Sequence, residues 1–197
     1  MTVPSETELW LHFKNGDKKA FEAIYHQYYG TLLNYGVRLK QDNNFVEEAV
    51  QDLFVKLWQN KQNLNQPTSL KHYLLKSLRN IIYNKLNIIQ KEFYVGNEND
   101  ILNFELHIPK DHSDYPQQLL RRLMENLTER QKEAVYLFYL EDLSYQEISD
   151  LLKIKIGGTY KLLYRAVDKM KSGLKQQQSA RSGTITDNPP FNAKPSS

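Results

Sequence analysis

Apolar residues recur along this chain at helical spacing almost throughout. Leu9 and Phe13 begin the pattern; after the Asn15-Gly16 turn, Phe21, Ile24, Tyr25, Tyr28, Leu32 and Tyr35 advance by threes and fours. That spacing lines one face of a helix with 3.6 residues per turn. Val46, Ala49, Val50, Leu53 and Leu57 form a second stripe, widened by Phe54 and Trp58. A loop rich in Asn, Gln and Lys, followed by Pro67, breaks the pattern. Leu70, Tyr73, Leu74, Leu78, Ile81, Ile82, Leu86 and Ile89 then predict a single helix of about five turns. Only the short run Phe104-Glu105-Leu106-His107-Ile108 alternates with period two. Residues 5–91 therefore read as a bundle of four helices.

The second half carries clearer boundary signals. Leu119, Leu120, Leu123 and Leu127 predict a short helix ending near Asn126. Thr128-Glu129-Arg130-Gln131 fits a capping box, in which the Thr hydroxyl accepts from the N3 amide and the Gln side chain accepts from the cap amide. It opens a helix carrying Ala134, Val135, Phe138 and Tyr139. Ser144-Tyr145-Gln146-Glu147 is a second box and starts a helix with Ile148, Leu151 and Leu152. Lys153-Ile154-Lys155-Ile156 leads to Gly157-Gly158 and a last helix with Leu163, Val167 and Met170. Two short helices, 144–152 and 157–171, joined by a few residues have the dimensions of a helix-turn-helix. Its second helix offers Gly158, Thr159, Tyr160, Lys161 and Arg165 outward, and its two glycines let the backbone approach a phosphate or base edge.

Composition narrows the classes. The 197 residues include no cysteine, which removes disulfide scaffolds and thiolate metal sites. No apolar run approaches a membrane span. The polar, acidic start lacks the features of a signal peptide, so the expectation is a cytoplasmic protein with no membrane insertion of its own. His12, His26, His72, His107 and His112 are scattered, and there is no Gly-rich phosphate loop. The expectation is accordingly a protein that is not an enzyme, with no catalytic residues, no metal and no cofactor.

The net charge of +3 conceals a pattern. Between Asp52 and Glu92 lie Lys56, Lys61, Lys71, Lys76, Arg79, Lys85 and Lys91, with no acid among them. Residues 92–114 then carry Glu92, Glu98, Asp100, Glu105, Asp111 and Asp114 against Lys110 alone. From Lys153 to Lys175 the chain is basic again, with seven cations against Asp168. Two basic segments flanking an acidic connector suggest a polyanion touched at two places.

These features coincide with a known family. Leu127-Thr128-Glu129-Arg130-Gln131 through Leu143-Ser144-Tyr145-Gln146-Glu147-Ile148-Ser149 to Thr159-Tyr160-Lys161-Leu162-Leu163-Tyr164-Arg165-Ala166 resembles region 4 of the extracytoplasmic-function class of bacterial RNA polymerase sigma factors. The segment from Phe13 through Asp17 and Phe21 to Tyr25 resembles that family's opening helix. Glu47-Glu48-Ala49-Val50-Gln51-Asp52-Leu53-Phe54-Val55-Lys56-Leu57-Trp58 resembles its polymerase-binding helix. Tyr73-Leu74-Leu75-Lys76-Ser77-Leu78-Arg79-Asn80 resembles the start of the helix that handles the −10 promoter element. The four occur in order over residues 9–175.

The resemblance implies an all-α chain of two helical domains. A region 2-like domain spans 5–91, an acidic flexible linker 92–116, a region 4-like helix-turn-helix domain 117–175 and a disordered tail 176–197. It further implies an alternative sigma factor that binds core RNA polymerase through the β′ and β subunits and directs recognition and melting of promoter DNA. Glu48, Gln51, Asp52, Lys56 and Trp58 would meet core. Lys61, Asn63, Asn65, His72, Lys76, Arg79, Asn80 and Tyr83 would hold the melted −10 strand, for which cations, amides and aromatic rings are the suitable chemistry. Lys155, Gly158, Thr159, Tyr160, Lys161, Tyr164 and Arg165 would meet the duplex −35 element. The linker would thread through polymerase, and an anti-sigma factor is an expected partner. The chain departs from the family at Asn84, where Asp is usual, at Asn87-Ile88, where basic residues usually follow, at Lys153 in place of a turn glycine, and at Gly158-Thr159-Tyr160. The alternative is a conventional helix-turn-helix regulator that acts on duplex DNA without polymerase.

Overall fold

The computed structural model describes residues 5–91, Leu102, Phe104, Glu105 and 115–183. Four helices make the N-terminal domain: α1 Glu6–Lys14, α2 Lys18–Leu39, α3 Asn43–Asn60 and α4 Leu70–Lys91. A 3-10 turn at Lys61–Asn63 leads out of α3. Short polar side chains set the helix starts. Ser5 and Glu8 form a capping box on α1, Asp17 accepts from the amides of Lys19 and Ala20, and Asp42 accepts from that of Phe45. Ser69 Oγ accepts from the His72 amide at 3.2 Å, ahead of α4. The α1–α2 turn closes on Gly16 at φ +87°, a conformation that costs glycine little.

The apolar stripes meet in one core, in which Trp10, Phe13, Ile24, Leu32, Tyr35, Leu74, Leu78 and Ile82 are fully enclosed. Gly36 allows α2 to approach α3 closely, since a Cβ built there would lie 2.5 Å from Val46 Cγ1. The C-terminal domain comprises α5 Tyr115–Glu125, α6 Glu129–Tyr139, α7 Tyr145–Leu151 and α8 Ile156–Gly183. Both expected capping boxes form, Thr128 with Gln131 and Ser144 with Glu147. All regular elements among the described residues are helical.

Three features differ from the sequence reading. Helix α8 continues to Gly183, into the segment expected to be disordered; Lys175, the glutamines after it, Ala180 and Arg181 are all adequate helix formers. Residues 184–197 lie outside the described residues. The connector is held at one place, with Leu102 and Phe104 buried and the Glu105 amide donating to the Arg38 carbonyl at 2.8 Å. The rest of the acidic connector up to 114, including Leu106–Ile108 of the alternating run, lies outside the described residues, its last two positions open α5, and Phe104 and Glu105 are not in a strand. Finally, the two domains pack against each other: the core continues from Tyr35 through Phe104 to Tyr136, whose ring centroids are 5.6–6.3 Å apart.

Candidate polymerase and nucleic-acid interfaces

Helix α3 buries Val46, Ala49, Val50, Leu53, Phe54 and Leu57, which turns Glu48, Gln51 and Lys56 outward and leaves Asp52 half-exposed. Lys85 of α4 reaches back to this face, 2.8 Å from the Asp52 carboxylate and 3.7 Å from that of Glu48. Trp58 is half-buried, packed on Phe21 at 5.0 Å and Phe13 at 6.3 Å between centroids. The Lys61 ammonium lies 4.1 Å above its ring and donates to the Trp58 carbonyl. Lys61 thus sits with the expected polymerase face and apart from the α4 cations with which the sequence reading grouped it.

The expected −10 residues divide into two groups. Asn80 lines an open pocket of about 310 Å³ between α3 and α4, together with Lys56, Asn60, Leu64, Tyr73 and Ser77. Asn63 and Asn65 are exposed on the loop between these helices. Tyr73 and Ser77 were not among the residues expected to hold the −10 strand, although their spacing to Asn80 and Ile81 puts them on one helix face. His72, Lys76, Arg79 and Tyr83 form another stripe of α4, and this one faces the C-terminal domain. Lys76 Nζ is 2.7 and 2.8 Å from the two Asp150 carboxylate oxygens. His72 Nε2 is 3.2 Å from Asp150, off-line for a hydrogen bond. Arg79, 7 % exposed, places Nε 3.1 Å from Glu133 Oε1, and the Tyr35 hydroxyl donates to the same oxygen at 2.6 Å. The Lys153 ammonium lies 5.3 Å from the Tyr83 ring centre.

These contacts leave electrostatic marks. Burial and the Glu133 charge raise the Tyr35 hydroxyl well above its ordinary range, against the opposing pull of Arg79. Tyr136, which donates to Glu141 at 2.7 Å, is raised by burial and by that hydrogen bond. Burial alone would raise the Glu147 carboxyl. Its hydrogen bonds from the Ser144 hydroxyl and amide, with the nearby His72 and Ser69, hold it below its ordinary value instead.

In the helix-turn-helix, Lys153 takes the left-handed conformation at φ +53° that its replacement of a turn glycine put in question. The Ser149 hydroxyl donates to the Ile154 carbonyl and the Ile154 amide donates to the Ser149 carbonyl, which clamps the turn. Lys155, just before α8, and Tyr160, Lys161, Tyr164 and Arg165 on its first turns are exposed, and Gly158 is partly so. Thr159 requires a correction. Its side chain is 0 % exposed and turned into the core, so it cannot offer a contact to DNA. It stands one turn before Leu163 and Ala166 on the buried stripe, a phase that was legible in the sequence. Tyr160 stacks on Tyr145 with centroids 4.3 Å apart, and Tyr145 packs on Phe138 at 4.9 Å. With Tyr139, Lys161 and Tyr164 they line an aromatic pocket of about 480 Å³. Adjoining it, and sharing Tyr139 and Val167 with it, an apolar groove of about 470 Å³ is lined by Leu120, Met124, Val135, Leu140 and Met170.

A helical N-terminal domain joined to a basic helix-turn-helix has the architecture of a DNA-binding transcription factor. Sigma-70 region 2 matches residues 24–87 and sigma-70 region 4 matches residues 117–170, together more than half of the chain. The chain belongs to the sigma-70 family of RNA polymerase sigma factors, in its extracytoplasmic-function class. It is an alternative sigma factor that directs promoter recognition, and the conventional-regulator alternative is not favoured. It is 21 % identical over 153 residues to the ECF RNA polymerase sigma factor SigM of Bacillus subtilis, covering 77 % of this chain and 93 % of that protein. It is also 21 % identical over 188 residues to the RNA polymerase sigma-H factor of Pseudomonas aeruginosa, covering 88 % and 96 %. Its fold is similar to that of the sigma factor RpoE from Bartonella quintana, solved in complex with the anti-sigma factor NepR (21 % identity, 80 % of this chain and 98 % of that chain, TM-score 0.58). It is similar as well to CnrH, solved with the cytosolic domain of CnrY (16 % identity, 85 % and 96 % covered, TM-score 0.56). No described helix is long and apolar enough to cross a membrane.

Proposed function

We propose that this sigma factor docks on core RNA polymerase through α3, holds the melted −10 strand on the α3–α4 side of its N-terminal domain, and reads the duplex −35 element with the first turns of α8. The observation that carries the −10 assignment is the pocket bounded by Asn60, Tyr73, Ser77 and Asn80 beside the Asn63–Asn65 loop. A flipped base needs amide groups for its Watson–Crick edge, an aromatic surface against its ring and cations along its backbone. Lys56, at the pocket, and the α4 cations supply the last of these.

For the −35 element, Tyr160, Lys161, Tyr164 and Arg165 share an exposed face, and Tyr145 fixes the orientation of Tyr160 by stacking. Lys161→Ala or Arg165→Ala costs about 1–3 kcal/mol with relaxed specificity where the contact is to a base edge. Where it is to phosphate, the slope of log affinity against log salt falls by roughly one unit.

On core, Glu48, Gln51, Asp52 and Lys56 form a mixed-charge surface suited to the β′ subunit. The apolar groove of α5, α6 and α8 suits a hydrophobic segment of β, since such a patch is unusual on a surface without a protein partner. The protein works by binding, without catalysis of its own, in the cytoplasm where its polymerase resides. An anti-sigma factor is its expected regulator, a reading supported by the fold it shares with a sigma factor solved in such a complex. The test is reconstitution: purified protein added to core enzyme yields a holoenzyme that initiates at its cognate promoter. Failure to co-purify with core refutes the reading.

A further inference from the structure

The side chains on the first turns of α8 limit which bases this helix can read. From Lys153 to Val167 the chain holds no Asp, Glu, Asn or Gln. Bidentate recognition of adenine uses an amide, and recognition of cytosine uses a carboxylate, so this stretch offers neither. Thr159 is turned into the core. What remains outward is a pair of cations, Lys161 and Arg165, beside an apolar stripe of Ile156, Tyr160 and Tyr164, one residue per turn. The cations suit guanine or phosphate. The stripe suits the one apolar feature of the major groove, the C5-methyl group of thymine.

Within the stripe, Tyr160 is held in place. Its ring stacks on Tyr145 with centroids 4.3 Å apart and planes at 23°, and Phe138 backs Tyr145 at 4.9 Å. Tyr145 directly follows Ser144, the cap of α7, whose box with Glu147 fixes where that helix begins. Residues of α6, α7 and α8 thus set one ring, and Tyr160 remains 52 % exposed. A side chain already ordered loses little freedom on contact, which lowers the cost of binding. One face of the ring is covered by Tyr145, so the opposite face and the edge are the parts that meet DNA.

We infer that Tyr160 reads a thymine of the −35 duplex through its C5-methyl group, with Tyr145 as the residue that positions it. The inference rests on the proposed role of α8 at the −35 element and adds the base and the group recognised. The contact is apolar, so its discrimination is indifferent to salt, unlike a phosphate contact by Lys161 or Arg165.

The test uses holoenzyme, the full-length chain on core polymerase, with a fluorescent promoter duplex whose −35 segment has been selected from a randomised library. Single thymines of that segment are replaced by deoxyuridine, which keeps every hydrogen-bonding group and removes one methyl. At one thymine the expected loss of affinity is about fourfold, the equivalent of one methyl-sized group left unburied, and it is the same at low and high salt. Tyr160→Ala, at an exposed position, binds the thymine and uracil duplexes within about 1.5-fold of each other, since the ring that buried the methyl is gone. Tyr160→Phe keeps the full preference, because the ring and not the hydroxyl carries it. Tyr145→Leu lowers the preference and Tyr145→Phe restores it, a pattern that a merely structural role for Tyr145 does not produce. Should Tyr145→Leu fold poorly, the Tyr160 variants decide alone. Uracil tolerated at every thymine, a preference that survives Tyr160→Ala, or a selected element without an A·T pair overturns the inference. The α8 reading fails separately: if Lys161→Ala with Arg165→Ala leaves promoter affinity and its salt slope as in wild type, α8 is not the −35 surface.

Discussion

Replacing Gly36 with Ala tests whether close contact between α2 and α3 sets the frame on which both surfaces of the N-terminal domain are mounted. The added Cβ falls 2.5 Å from Val46 Cγ1 and 3.5 Å from Ile82 Cδ1 and Leu78 Cδ2. The last two are ordinary contacts, whereas the first cannot persist. Val46 is fully buried and β-branched on a helix, where one χ1 rotamer dominates, so it has no easy way to turn aside. Overpacking costs about 1–3 kcal/mol. A 2.5 Å contact with a side chain that cannot turn aside takes the upper half, about 2–3 kcal/mol, while the gain in helix propensity from Gly to Ala returns about 1 kcal/mol. The expected net loss is about 1–2 kcal/mol in guanidinium unfolding followed by far-UV circular dichroism, with an unchanged m value. The sign depends on Val46. In a Val46→Ala background the clash is gone, and Gly36→Ala becomes stabilising by about 1 kcal/mol, a coupling of about 2–3 kcal/mol across the double-mutant cycle. Gly30→Ala, with nothing within 4 Å of its Cβ, stabilises in either background. An additive cycle, or a Gly36→Ala protein as stable as wild type, would falsify the argument.

Other outcomes follow from local geometry. Gly157 has open space where a Cβ would stand, so Gly157→Ala should raise thermal stability slightly through helix propensity. It should also weaken −35 duplex binding about tenfold if the backbone approaches the DNA; unchanged affinity would remove that role from the glycine. Lys153→Gly relieves a left-handed residue at a cost of one cation–π contact with Tyr83, for a net gain of about 0.5–1 kcal/mol, read by the same unfolding assay. The carboxyl of Glu147 is held below its ordinary value of 4.5, so it contributes stability above that pH and loses it as pH falls through 4.5 toward its folded value. Glu147→Gln keeps an acceptor for the cap and should flatten stability against pH in that window; an unaltered acid profile would mean that the cap does not titrate with folding.

Helix starts were legible because capping is local: Thr128 with Gln131 and Ser144 with Glu147 declare themselves within four residues. The helix-turn-helix followed from the same signals. What the sequence could not disclose was long-range pairing. Glu133 lies in a charged run of α6 that reads as solvated surface, yet it is buried because Arg79 and Tyr35 meet it from 54 and 98 residues away. The α4 cations were read as DNA contacts from the family resemblance and their charge, and nothing local indicates that a second domain already engages them. Thr159 was placed outward by its position at the start of the second helix of the helix-turn-helix, when its phase with Leu163 and Ala166 turns it inward. Phe104 was taken as part of a flexible tether because its neighbours are acidic; an aromatic residue in such a stretch was the available hint that one point of it is held.

That holding point bears on how far the chain can reach. Between α4 and α5 run 23 residues. With Leu102 and Phe104 seated in the core, the span divides into two arms of ten residues, each extending at most about 35 Å. Released, the whole connector extends to about 80 Å. The −35 and −10 elements are centred about 25 base pairs apart, on the order of 85 Å along straight duplex. Only the released connector, with the width of the two domains added, can lay one module on each element. The seating of Leu102 and Phe104 thus decides whether the connector is a short clasp or a ruler, and shortening the span should move the preferred promoter spacing along with it.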